Sequence, residues 1–174
     1  MRRTAFIGTA LVSLFIGIAV GAGGLYGYQR WSADRGIEAR PAFSLPDLQG
    51  KQHSISEWDG KLIVLNFWAS WCPPCVREIP MFIKLQKKYE GQGLQFVGVA
   101  VDRHDAAEAF AKEKGINYPI LQGMQSAMEV GDLYGNDAGT LPYTVVINRH
   151  GRIVTTFSQE VHRKLIESVI QNHL

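Results

Sequence analysis

The sequence predicts an α/β protein, a central mixed sheet flanked by helices, with a β-hairpin added at its amino-terminal side. Three observations lead there. Two apolar runs, one opening at Leu62 and the other spanning Leu94–Val101, enclose a stretch of helical periodicity, the pattern of a right-handed βαβ unit with buried parallel strands. Two further runs, Leu141–Asn148 and Arg152–Phe157, are joined only by Arg149-His150-Gly151, which favours an antiparallel pair. Short apolar alternation around Gln49-Gly50 reads as a hairpin ahead of the main sheet.

The chain has 174 residues, enough for one domain with a real core plus an appendage. Thr4–Tyr28 carries no charged residue and lies between Arg2-Arg3 and Arg30. As a helix it would reach about 37 Å, more than the roughly 30 Å of a bilayer core. Residues 1–28 are therefore expected to be a membrane anchor or signal-anchor. Val20-Gly21-Ala22 offers a small-residue cleavage site, but the apolar stretch exceeds a usual signal-peptide core, which favours an uncleaved anchor. No cysteine lies near it, so a lipid-anchored lipoprotein is not expected. Residues 29–40 read as a polar linker, and 41–174 as the folded domain.

Within that domain, His53 and Trp58 read as surface and packing residues. The strand Lys61–Trp68 comes next, then a helix from about Cys72 to Glu90. Ile79, Phe82, Ile83 and Leu85 form its apolar stripe, Pro80 is an expected kink, and Gly91 and Gly93 close it. Beyond the second strand, Asp105–Lys114 predicts a helix stopped by Gly115, Tyr118–Leu121 a short strand, and Gln125–Tyr134 a helix closed by Gly135. After the antiparallel pair, Val161–Ile170 predicts a last helix with Val161, Leu165, Ile166, Val169 and Ile170 on one face.

Both cysteines fall in Lys61–Pro80, KLIVLNFWASWCPPCVREIP, where a strand gives way to a helix. Residues three apart on a helix share a side, about 5–6 Å between Cβ atoms, so Cys72 and Cys75 can close and open a disulfide with little backbone movement. The unpaired N–H groups and positive dipole end of a first helical turn favour a thiolate at the first cysteine. Cys72 is the expected nucleophile and Cys75 the resolving thiol. Pro73 and Pro74 suit a first turn and stiffen the loop. They also withhold two donors, and neither is cationic, which points to the reducing end of the disulfide scale. Two other uses compete. Zinc needs four ligands, yet there is no second Cys-x-x-Cys and the five histidines are scattered. A purely structural bridge over so short a loop would remove little entropy from the unfolded chain.

Strand-Trp-Cys-x-x-Cys-helix with a proline five residues on resembles thioredoxin. The amino-terminal anchor, PAFSLPDLQGK, WASWCPPCVREIP, the VAVD ending at Asp102 and GTLPYTVVINRHGRIV are more similar to the TlpA/ResA/DsbE-like branch, membrane-tethered thiol-disulfide oxidoreductases working outside the cytoplasm. The resemblance covers about Pro41–Leu174 and implies a thioredoxin-like fold. It also implies a cis bond between Leu141 and Pro142 facing the dithiol, with the Leu141 backbone pairing with an extended substrate segment. On sequence alone, a trans proline opening an edge strand is the alternative. Glu78 matches the branch's active-site glutamate; on a helix it would share a face with Cys75 and exchange its proton, the alternative being a solvated side chain. Asn66 stands where thioredoxin has a buried aspartate, so an acceptor of that kind is absent. Trp71 is expected to shape the docking surface, or else to be a capping aromatic.

A net charge of +2 offers no basic groove, so no nucleic-acid partner is expected. Charges flanking the apolar segment nearly balance and do not orient it. A targeting segment before a domain with a single dithiol fits an oxidising compartment. The expectation is a single-pass protein of the cell inner membrane, its catalytic domain on the periplasmic or extracytoplasmic side. It would reduce protein disulfides through Cys72 and Cys75 with no cofactor beyond that disulfide, and act as a monomer. The resemblance implies a membrane thiol transporter as electron donor and apocytochrome c among the substrates. Rival expectations are a disulfide-forming oxidase, or a non-catalytic metal or haem carrier using both cysteines as ligands. The Pro-x-x-x-Thr-x-x-Cys pattern of peroxiredoxin-type peroxidases is missing.

Overall fold

Residues 39–174, together with Gly24, are described by the computed structural model. The expected anchor and linker lie outside the described residues except at Gly24, Ala39 and Arg40. Among the described residues, no helix is long and apolar enough to cross a membrane.

The first strands, β1 (Ser44–Pro46) and β2 (Gln52–Ser54), pair antiparallel as the alternation predicted. Asp47 makes the turn, its Oδ1 accepting from the N–H groups of Gln49 at 2.8 Å and Lys51 at 2.9 Å, while Gly50 takes a φ of +81°. A capping box of Ser54 and Glu57 then opens a short 3-10 helix, Ile55–Trp58, that buries its two end residues. His53 bridges the two pieces. Its ring nitrogens meet Asp47 Oδ2 at 2.9 Å and Glu57 Oε2 at 2.8 Å, and the ring stacks on Trp58.

Hydrogen bonding to Glu57 first, and to Asp47 next, holds the His53 pKa above its ordinary value. A raised folded pKa gives stability that is complete below the unfolded value of about 6.5 and is lost as pH rises through the folded one. Thermal melts from about pH 6 to pH 9 should therefore show a loss of stability that His53→Gln reduces; an unchanged pH slope in the variant would contradict the bridge.

The main sheet runs β5-β4-β3-β6-β7, built from β3 (Leu62–Trp68), β4 (Leu94–Ala100), β5 (Ile120–Gln122), β6 (Tyr143–Ile147) and β7 (Ile153–Phe157). β5, β4 and β3 pair parallel, β6 pairs antiparallel with β3, and β7 pairs antiparallel with β6, the mixed sheet expected. Every residue of β3 and β4 is buried, as continuous apolar runs require. Among residues 39–174, four α-helices accompany the strands: α1 (Pro73–Tyr89), α2 (His104–Lys114), α3 (Met124–Leu133) and α4 (Arg163–His173).

Strand alternation decides which residues meet which helix. Ile63, Leu65 and Phe67 join the core built with α3 and the hairpin, whereas Leu62 and Val64 pack with Phe82 and Leu85 of α1 and Ile166 and Ile170 of α4. Asn66 and Trp68 fall on the α1 side by the same parity. Two strands start later than their apolar runs. β6 begins only after Pro142 and β5 only after Pro119, since neither proline can donate to a ladder. The last helix also starts later, at Arg163, so Val161 packs from the preceding loop. Leu165, expected on the apolar face, is instead 50% exposed.

Candidate active site

Between β3 and α1 the chain turns through Ala69, Ser70 and Trp71, and the end of β4 holds this turn in place. Val101 donates its N–H to the Trp68 carbonyl at 2.8 Å. Asp102, buried, accepts at Oδ2 from both the Ser70 N–H at 2.7 Å and the Ser70 hydroxyl at 2.6 Å. Cys72 then stands at the N-cap of α1 in extended conformation, one residue earlier than a helical position. Its Sγ accepts from the Cys75 N–H at 3.4 Å, the place a serine or aspartate oxygen usually fills. Pro73 and Pro74 occupy the first two helical positions, where no intrahelical donor is called for. α1 continues unbroken through Pro80 to Tyr89.

Cys72 and Cys75 are joined as a disulfide with Cα atoms 5.3 Å apart. Cys72 keeps 4% exposure and Cys75 none, so a visiting sulfur can reach only the first. The Cys75 N–H and the positive end of the α1 dipole favour a thiolate at that sulfur once the bond is reduced, while Pro73 and Pro74 supply no donor.

Glu78 follows Cys75 by three residues on α1 and is 2% exposed, which removes the solvated reading. Its Oε1 accepts from Asn66 Nδ2 at 2.9 Å and its Oε2 from the Val161 N–H at 3.1 Å. Asn66 Nδ2 also donates to Thr144 Oγ1 at 2.9 Å, the residue beside it across β3 and β6, and its Oδ1 has no partner among the described residues. Burial pushes the Glu78 pKa up to about 7, against the hydrogen bonds from Val161 and Asn66; the Glu160 charge adds to the rise. Near neutral pH such a carboxyl can either accept or return a proton.

The Leu141–Pro142 bond is cis, and Leu141 packs against the apolar cluster that contains both cysteines. Trp71, 64% exposed, lies beside Leu141 on the wall of a pocket shared with Met124 and Met128 of α3. An exposed Trp71 fits a docking surface rather than a buried cap. The structure thus gathers Cys72, Cys75, Trp71, Pro73, Pro74 and Leu141-Pro142 at one end of the sheet, with Glu78 beneath. Thr144, Met124 and Met128 were not singled out from the sequence, and Asp102 entered only as the last residue of VAVD, with no role given. The methionines left a signal in their i, i+4 spacing on an amphipathic helix. Among the described residues, no group of three or more His, Cys, Asp or Glu side chains is placed to hold a metal ion.

A disulfide at the start of the helix that follows the central strand, with a cis Leu-Pro bond whose leucine packs against the same cluster, is the arrangement of thioredoxin-fold thiol-disulfide oxidoreductases, and this protein is one of them. The chain belongs to the AhpC/TSA family, whose profile matches residues 38–156. Thiol-disulfide oxidoreductase ResA of Halalkalibacterium halodurans is 32% identical over 149 residues, covering 83% of this chain and 82% of that protein. Among solved structures, a thiol:disulfide interchange protein of the thioredoxin family from Chlorobium tepidum superposes with a TM-score of 0.71 at 27% identity, over 79% of this chain and 96% of that one. A secreted thiol-disulfide isomerase from Corynebacterium glutamicum gives 0.68 at 25% identity, over 77% of this chain and 84% of that one. The thioredoxin-like fold and the ResA/DsbE-like kinship expected from the motifs are both borne out.

Proposed function

We propose that the protein reduces disulfides of protein substrates outside the cytoplasm, tethered to the inner membrane by its amino-terminal apolar segment. The observation that carries the direction is the composition of the first turn of α1. Two of its residues lack N–H donors, no cation lies in it, and the nearest, Arg77, has its guanidinium on Glu160 at 3.0 Å. A thiolate so sparingly stabilised makes the dithiol a reductant.

In the reaction, the reduced Cys72 thiolate attacks one sulfur of a substrate disulfide, whose other sulfur leaves as a thiolate and takes a proton. Glu78 accepts the Cys75 proton, Cys75 attacks the Cys72 sulfur, and the substrate departs with two thiols. Two electrons pass to the substrate, and Cys72–Cys75 returns to a disulfide. The Leu141 backbone pairs with the extended substrate segment, and Trp71, Pro73 and Pro74 form the face it meets. A membrane dithiol donor restores the reduced state, and apocytochrome c awaiting haem is a fitting substrate. The apolar run of Thr4–Tyr28 supports the membrane tether, and the likeness to the secreted isomerase from Corynebacterium glutamicum supports a place outside the cytoplasm. Equilibration of the full-length protein with a thiol buffer should give a potential near the roughly −270 mV of thioredoxin. A value near −120 mV would make it an oxidase instead.

A further inference from the structure

At the end of the sheet away from the disulfide, the turn between β6 and β7 meets the residues just before β3. Between them lies a cleft of about 380 Å³, lined by Arg40, Asp59, Arg149, His150 and Gly151. No apolar side chain among the described residues lines it, and two arginines face a single carboxylate.

These cations are held in place. Asn148 Oδ1 accepts from the N–H groups of His150 and Arg152, each at 3.0 Å, which fixes the turn. Arg149 donates to the Gln92 carbonyl at 2.7 Å, in space that Gly93 leaves: a Cβ there would stand 3.2 Å from the guanidinium. Asp59 pairs with one guanidinium nitrogen of Arg40, but Arg40 Nε is buried with no partner among the described residues. Gly151, at a φ of +71°, puts no side chain over it; a Cβ there would stand 3.7 Å from that Nε. A phosphate oxygen seated over Gly151 would supply the acceptor Arg40 lacks, and guanidinium groups match phosphate better than any other side chain.

We propose that this cleft docks the domain on the anionic phospholipid headgroups of the membrane that anchors it, with a lipid phosphate held between Arg40 and Arg149. The proposal rests on the reading of Thr4–Tyr28 as a membrane tether. Lipid is the anion that the chain itself brings within reach. Ala39 pairs with Arg152, and Arg40 donates its N–H to the Gly151 carbonyl at 2.9 Å, so the chain enters the domain at the cleft. Residues 29–38 alone separate Ala39 from the apolar segment, at most about 40 Å of fully extended chain. Cys72 lies beyond the other end of β3, whose seven residues span about 23 Å. The docked domain therefore offers its disulfide to proteins away from the bilayer, and meets a membrane donor only once the cleft lets go.

The test uses oxidised full-length protein in vesicles of phosphatidylcholine, alone or mixed with phosphatidylglycerol, and reads backbone hydrogen exchange over residues 149–152. Exchange should be at least about fivefold slower with phosphatidylglycerol, and the difference should vanish at about 1 M salt, where screening reaches about 3 Å. Arg149→Gln combined with His150→Gln, both at exposed positions, should bring the difference below about twofold. Lys61→Gln removes a charge at the same end of the sheet but outside the cleft, and should leave most of the difference in place. Equal exchange in the two kinds of vesicle, or equal losses in the Lys61 variant and the double variant, would overturn the proposal. So would protection by inorganic phosphate in phosphatidylcholine vesicles with none from phosphatidylglycerol, which would make the occupant a free anion. Flotation of the protein with phosphatidylcholine vesicles reads the tether separately, so the cleft and the anchor can fail independently.

Discussion

Oxidised Glu78→Gln protein is expected to be more stable than the wild type above neutral pH and to lose the part of the pH dependence that falls between about pH 4.5 and pH 7. Burial lifts the Glu78 pKa from 4.5 to about 7. Between those values the folded protein holds a proton that the unfolded chain releases, so wild-type stability falls as pH rises from about 4.5 to about 7. The full effect is on the order of 3 kcal/mol, a large part of a typical domain's stability. Gln keeps the shape and never ionises. Asn66 can turn its amide over and offer the carbonyl oxygen that now lacks a partner to the new N–H group. The same substitution removes the group we propose as proton acceptor for Cys75, so release of substrate from the mixed disulfide should slow by roughly 10²-fold or more. Thermal melts at about pH 5 and pH 8, beside single-turnover release rates, check both halves. Equal pH slopes in the two proteins would show that Glu78 is not held in its neutral form.

What the sequence revealed of the fold depended on how local each signal is. β3 and β4 were readable because strands covered on both faces are apolar throughout, and α2 because Gly115 stops it. The starts of β5 and β6 were misplaced by periodicity because Pro119 and Pro142 are followed, not preceded, by the first ladder bonds. Leu165 was assigned inward by counting, but Ile166 and Ile170 face the sheet and leave it outside.

The site divides in the same way. The disulfide and its flanking prolines lie within four residues and could be recognised from spacing alone. The burial of Glu78 could not, because its partners Asn66 and Val161 are 12 and 83 residues away. Asp102 fastens Ser70 across 32 residues, a contact that exists only once β4 lies beside β3. Met124 and Met128 satisfy the pattern of a core-facing stripe, yet the sheet ends before them and leaves both half exposed. An apolar face is inward or outward according to what the topology puts opposite it.

Cys72→Ser is expected to abolish disulfide exchange, since the one cysteine sulfur with any exposure is gone. Cys75→Ser should instead complete the first attack and stop, because no second thiol is left to release the partner. Peptide mapping by mass spectrometry, after Cys75→Ser protein is incubated with a disulfide-bonded protein substrate, is the most direct check on the working pair. A substrate cysteine linked to Cys72 in near-stoichiometric yield, with no adduct on Cys72→Ser protein under the same conditions, is the result predicted. Adducts formed equally by both variants, or by neither, would contradict the assignment of attack to Cys72 and release to Cys75.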